Sequence, residues 1–260
     1  MASIDVTLFE QHDFPTDILV ETVAECNLAC VMCPQQNLTR PRGRMSYDLW
    51  TRIVDEVAEI SPQTRLWPAF MGEPLLLAPE IFRWLRYAKH QGVERVSLAS
   101  NLNLLRPDYA DSLVLSGLDE IVVGIDAHSV DRYCDIRVGG NLERVRQAVT
   151  YLAKSKLRLA SATPRLVLQF LVMDENADEQ QSFVDFWQST GLEVDLEIRP
   201  RTGWGGVVTP WQGPSRRRER TPCVSLRQRM VVFWNGLVPQ CDSDWNGRTR
   251  HGNLDRKSVV

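Results

Sequence analysis

The chain has 260 residues, 43% of them hydrophobic and 24% charged, with a formal net charge of −3. That is ordinary globular composition with material for a sizeable core, and it argues against a nucleic-acid or anionic-membrane binder as the main role. Met1 to Asp5 lack the basic start of an export signal, and no apolar run approaches the ~18–20 residues of a bilayer span.

From residue 17 onward, strand-like and helix-like segments alternate. Asp17–Ala24 reads as a strand that opens into a cysteine-rich loop. After a polar stretch to Arg44, Ser46 is placed to cap a helix with Leu49, Trp50, Ile53, Val54, Val57 and Ile60 at helical spacing. Leu66–Met71 is a short strand ending in Gly72-Glu73-Pro74, and Pro79–His90 is a helix closed by Gly92. Arg95–Ala99 is a strand ending in Ser100-Asn101, and Pro107–Leu115 is a helix opened by proline. Glu120–Ile125 leads to Asp126, Asn141–Leu152 is helical, and Arg165–Val172 is a strand. A helix at Asp178–Thr190 and a strand at Glu193–Ile198 complete the set. Strict alternation of six strands with five helices predicts an α/β protein with a parallel sheet and right-handed crossovers. Polar and glycine-bearing segments follow nearly every strand, at the end where such sheets place their chemistry.

After Pro200 the pattern changes. Residues 201–222, with the run Arg216-Arg217-Arg218-Glu219-Arg220, read as an irregular linker. Residues 223–260, with a β-like stretch Met230–Trp234, read as a small appended module. Trp204, Trp211, Trp234 and Trp245 are expected mostly to pack, with a substrate mouth as their other use.

The six cysteines are Cys26, Cys30, Cys33, Cys134, Cys223 and Cys241. Three crowd one loop, where mutual pairing is awkward, so metal ligation in a reducing, cytoplasmic setting is expected. Cys134 stands outside any motif and is expected to be an ordinary buried cysteine. Thiolates at C-x3-C-x2-C can hold three corners of an iron–sulfur cubane, leaving one iron open. A zinc site would ordinarily show paired C-x2-C knuckles, and no second pair lies at short range.

The loop Cys26–Cys33 resembles the signature of the radical S-adenosylmethionine (radical SAM) enzymes. Met71-Gly72-Glu73-Pro74, Ser100-Asn101, Gly124-Ile125-Asp126 and Ile136-Arg137-Val138-Gly139-Gly140 resemble further motifs of that family, each after a strand. The resemblance implies a partial (β/α)6 barrel over residues 1–200. It implies a [4Fe-4S] cluster on Cys26, Cys30 and Cys33 whose open iron binds S-adenosylmethionine. Reductive cleavage of the sulfonium would then give a 5′-deoxyadenosyl radical that takes a hydrogen atom from substrate. The cofactor-binding residues so implied are Gly72, Glu73, Ser100, Asn101, Asp126 and Arg137. Arg137 would clamp the methionine carboxylate, and Asn101 and Asp126 would reach ribose hydroxyls or else tie the loop backbone. A flavodoxin- or ferredoxin-type reductant and a peptide or small-molecule substrate are the implied partners, with no nucleic acid and no membrane.

The spacing C-x12-G-x4-C from Cys223 through Gly236 to Cys241 resembles the opening of a SPASM or twitch extension. In that subgroup it carries auxiliary iron–sulfur clusters, so Cys223 and Cys241 are candidate auxiliary ligands. No cysteine follows Cys241, so the extension is expected to be truncated or degenerate, or to be completed by Asp242, Asp244 or His251. By resemblance to sulfatase-maturing enzymes, Asp242 is also a candidate catalytic base. The alternative to an enzyme is a non-catalytic, degenerate iron–sulfur or zinc-binding interaction module.

Overall fold

A computed structural model describes residues 13–206, 223 and 225–255. Six strands follow the predicted order: β1 (Asp17–Val20), β2 (Arg65–Trp67), β3 (Arg95–Ser100), β4 (Glu120–Gly124), β5 (Arg165–Val172) and β6 (Asp195–Pro200). The helices between them are α1 (Tyr47–Ile60), α2 (Glu80–His90), α3 (Pro107–Val114), α4 (Val130–Ile136), α5 (Leu142–Arg158) and α6 (Gln180–Ser189). Local chemistry sets their starts. The Ser46 hydroxyl accepts from Leu49 N at 3.2 Å, and the Asn141 side chain accepts from Arg144 N at 2.9 Å. The apolar stripe of α1 (Leu49, Trp50, Ile53, Val54 and Val57) is buried, as its spacing requires. Helix α4 is absent from the sequence reading, because seven residues with few apolar positions give too short a period to detect. It is capped by Ser129 and turns Tyr133 into the core. Its neighbour Cys134 faces out, contrary to the expectation of a buried cysteine.

A seventh strand corrects the expected organisation of the C-terminal region. Residues Arg229–Val232 form β7, which pairs parallel to β1 with Asp17 level with Arg229. The sheet order is β6-β5-β4-β3-β2-β1-β7, every pair is parallel, and the sheet is open rather than a closed barrel. The run Met230-Val231-Val232 thus belongs to the main sheet, where it covers backbone groups that β1 would otherwise expose at an edge. Among the described residues, only the antiparallel pair β8 (Leu237–Pro239) and β9 (Arg250–Asn253) stands apart as a small layer. The rest of the predicted linker, from 207 to 222 and including Trp211 and Arg216–Arg220, lies outside the described residues.

A buried ion pair ties this layer to the sheet. Glu21, fully buried just past β1, takes two bonds from Arg40, at 2.5 and 2.8 Å. Arg40 also donates to Trp245 O at 2.7 Å and lies over the Phe233 ring at 3.9 Å. Trp245 is buried and bonds the Trp204 carbonyl, while Trp234 bonds Pro41 O and packs over Gly43. No helix among the described residues is long and apolar enough to cross a membrane.

Candidate functional site

Parallel strands leave their C-terminal ends on one rim, and the predicted loops gather there. One cavity is bordered by Cys26, Cys30 and Cys33 and, from the next three strand ends, by Gly72, Glu73, Ser100, Asn101 and Gly124, with Arg137 beside them. The cysteine loop is clipped by the segment after α4: Ala29 N donates to Val138 O at 2.9 Å and Val31 N to Ile136 O at 3.0 Å. Met32, in the same loop, packs on Ile136 and Met173.

Each sulfur has a local environment. Cys26 Sγ lies 3.5 Å from Leu28 N and 3.9 Å from Asn101 Nδ2, and Cys30 Sγ lies 3.8 Å from a terminal nitrogen of Arg137. Burial pushes the Cys26 thiol up to about 12 and the Cys33 thiol to about 11, and it raises Cys30 as well, with Arg137 opposing. Such thiols stay protonated until a metal displaces the proton. Among the described residues, no three Cys, His, Asp or Glu side chains converge on a single-ion position. The three thiols instead border a shared cavity whose lining includes no fourth cysteine and no histidine. A donor set of three sulfurs, with N–H groups aimed at two of them, fits a [4Fe-4S] cluster better than a four-ligand zinc.

Glycine at 72 is a packing requirement. A Cβ there would sit 2.6 Å from Glu25 O and closer still to Val23 O, so no side chain fits between this turn and the exit of β1. Glu73 N then donates to Glu25 O at 2.9 Å, which locks the turn to the residue before Cys26. The Glu73 carboxylate is buried and fully engaged. It accepts from Ser100 Oγ at 2.7 Å, Asn101 N at 2.8 Å and Leu75 N at 3.1 Å. Burial raises its pKa, and these donors oppose the shift. Glu73 therefore orders two strand ends at once. Glu73→Gln should destabilise the apo-protein by about 1–3 kcal/mol, because an amide NH2 would face a donor. Urea unfolding measures this, and a stability equal to wild type would contradict the bonding described.

Asp126 and Arg137 form one unit. Asp126 is fully buried with φ +62°, and its Oδ1 accepts from Leu171 N at 2.7 Å. Its Oδ2 accepts from Arg137 Nε at 2.8 Å and from an Arg137 terminal nitrogen. Burial pulls the guanidinium pKa down, but the Asp126 carboxylate outweighs it, so Arg137 is held above its ordinary value. Asn101 Nδ2 meets Asn27 Oδ1 at 3.0 Å, which leaves this side chain beside Cys26. Among the residues that sequence reading did not single out, Ala99, Val122, Gln169 and Leu171 are inward-facing strand positions bordering the cavity, and Ala69 follows β2. Period-two alternation marks them only once strand and facing are known.

Apart from Trp204, which borders the cavity, the other sequence candidates lie elsewhere. Cys223 is exposed and Cys241 half-buried, and no metal-holding group forms around them among the described residues. Asp242 pairs with Arg229 at 2.8 Å and is not among the residues lining the cysteine cavity. Asp244 spends its carboxylate on Arg248 N and Thr249 N, each at 2.8 Å.

An open parallel α/β sheet with a three-thiol loop after its first strand defines the class: a metal-cluster protein built on a partial barrel. Residues 20–186 match the Radical SAM superfamily, and the chain belongs to that family. The family uses a [4Fe-4S] cluster and S-adenosylmethionine, and the residues around this cavity suit both. The chain is similar to a probable GTP 3',8-cyclase of Methanococcus maripaludis, 31% identical over 175 residues, covering 66% of this chain and 55% of the relative. It thus spans about half the length of the curated relatives it matches. Among solved structures, SuiB of Streptococcus suis bound to precursor peptide SuiA superposes with a TM-score of 0.76 at 12% identity, covering 97% of this chain and 65% of that one. BtrN in complex with AdoMet and 2-DOIA gives 0.61 at 16% identity, covering 94% and 80%. At these identities the two structures speak for the fold.

Proposed function

We propose that this protein is a radical SAM enzyme that abstracts a hydrogen atom from a peptide or small-molecule substrate. The observation that supports this most is the convergence of three half-buried thiols, the Gly72-Glu73 turn and Arg137 on one cavity. When bound, the cluster and S-adenosylmethionine supply one-electron reductive cleavage of the sulfonium bond and hydrogen abstraction, the electron coming from a flavodoxin- or ferredoxin-type reductant. The chain's own residues bind and orient. The Gly72-Glu73 backbone offers polar groups to the methionine ammonium at a turn where only glycine fits. Arg137 serves as both partner of Cys30 and candidate contact for the methionine carboxylate. Asp126, with both oxygens committed, acts through Arg137 by fixing its plane. Asn101, next to Cys26, is the better placed of the two ribose candidates.

Relatives and neighbours differ in what their names say they act on: a GTP cyclase, an AdoMet-dependent heme synthase and a peptide-bound protein. The substrate class is taken up below. The test is anaerobic reconstitution, then an assay for 5′-deoxyadenosine with S-adenosylmethionine and a strong reductant. A protein with a full cluster that forms none would refute the radical reading and favour the binding module. Cys26→Ala should abolish cluster loading in the main cavity while leaving any iron held by Cys223 and Cys241. Iron counts in that variant therefore decide whether the tail binds a cluster, and zinc without sulfide in the wild type would support the non-catalytic alternative.

A further inference from the structure

Beneath the cysteine cavity lies a second chamber of about 880 Å³, lined by inward-facing strand residues. Ala99, Val122 and Gln169 border both spaces, so the chamber meets the cofactor cavity at one level of the partial barrel. Interiors of parallel α/β barrels are ordinarily filled by layers of branched apolar side chains. Here five arginines and four carboxylates line the space instead.

Most of these charges are spoken for. Arg165 meets Glu120 at 2.7 Å and Asp195 at 3.3 Å, Arg65 meets Asp17 at 3.8 Å, and Arg229 meets Asp242 at 2.8 Å. Glu197 accepts from Gln169 at 2.7 Å. The side chains of Arg95 and Arg199, on different strands and both exposed, make no bond to a described residue. Two uncommitted guanidiniums face the same chamber, and each can take an anion through a planar pair of N–H donors. The volume falls in the range of small-molecule sites, roughly 300–1,000 Å³.

We propose that this chamber holds the substrate, and that the substrate is a small molecule bearing a carboxylate or phosphate group recognised by Arg95 and Arg199. The assignment rests on the radical SAM reading above. It places the reacting carbon past Ala99 and Val122, which border both spaces, toward the cysteine cavity. Gln169, oriented by Glu197, supplies a polar contact at the boundary.

The reconstituted full chain, with S-adenosylmethionine present, is titrated calorimetrically with inorganic phosphate and with succinate. Wild type is compared with Arg95→Gln/Arg199→Gln and with Arg86→Gln, an exposed arginine on α2 that makes the same charge change outside the chamber. At least one anion should bind wild type and Arg86→Gln, and the double variant should bind about tenfold to a hundredfold more weakly, as loss of charged hydrogen bonds implies. Binding of phosphate alone identifies a phosphate ester, and of succinate alone a carboxylate. Neither anion binding wild type, or the double variant binding as wild type does, overturns the proposal. If the double variant melts early, Arg95→Lys/Arg199→Lys keeps the charge without the fork and takes its place. Substrate-free formation of 5′-deoxyadenosine in the same samples should not depend on Arg95 or Arg199. Its loss in every sample refutes the radical reading alone, so the two failures are distinguishable.

Discussion

Arg137→Met should lower folding stability by about 3–5 kcal/mol, because it strands the Asp126 carboxylate, fully buried, without its counter-charge. Adding Asp126→Asn should recover much of the loss. The neutral amide oxygen still accepts from Leu171 N, and no bare charge remains. A double-mutant cycle by urea unfolding of the apo-protein measures the coupling, since the two residues are in direct contact. Independent, additive losses would show that the pair is not the unit described. The guanidinium also points at Cys30, so iron loading of Arg137→Met should fall even under conditions where the chain stays folded. Gly124 belongs to the same unit. A Cβ at that position would sit 2.9 Å from the central guanidinium carbon of Arg137, so the bare strand end makes room for the arginine.

Gly72→Ala is expected to do comparable damage by a different route. The methyl would press on two carbonyl oxygens of the chain leading into Cys26, and backbone cannot rotate away as a side-chain tip would. Overpacking of this kind costs about 1–3 kcal/mol. Relief by shifting the exit of β1 would displace Cys26 from the other two sulfurs. The expected result is a folded protein, by circular dichroism, whose iron content after reconstitution drops to background. Full loading in Gly72→Ala would mean that the turn and the cysteine loop are not rigidly joined.

Much of this site was legible before any coordinates. The C-x3-C-x2-C loop, the Gly72-Glu73 turn and Ser100-Asn101 were each placed at strand ends by hydrophobic periodicity and turn residues, and those ends do share a rim, while Arg137 was pointed out by the family resemblance and caps the end of α4. The seventh strand was not legible. Met230–Val232 carries a strand's composition, but composition does not name a partner, and the partner is β1, more than two hundred residues away in the chain. Helix α4 was missed because seven residues of helix give too short a period to read. The facing of Cys134 went with it.

The roles within the site divided the same way. Residue type and spacing alone specified three thiol ligands, since a C-x3-C-x2-C loop offers three sulfurs to one cluster, whereas the glycine turn and Arg137 were singled out by the resemblance to the radical SAM family. Sequence also indicated a parallel α/β sheet, because alternating periods of two and near four leave few other arrangements. Only tertiary structure decided that Glu73 bonds Ser100 and Asn101, that Asp126 spends both oxygens on Arg137 and Leu171, and that Arg95 and Arg199 face a common chamber. Those outcomes depend on which strands are neighbours and at what register. That choice is made by packing between residues far apart in the chain, so no local stretch of sequence encodes it.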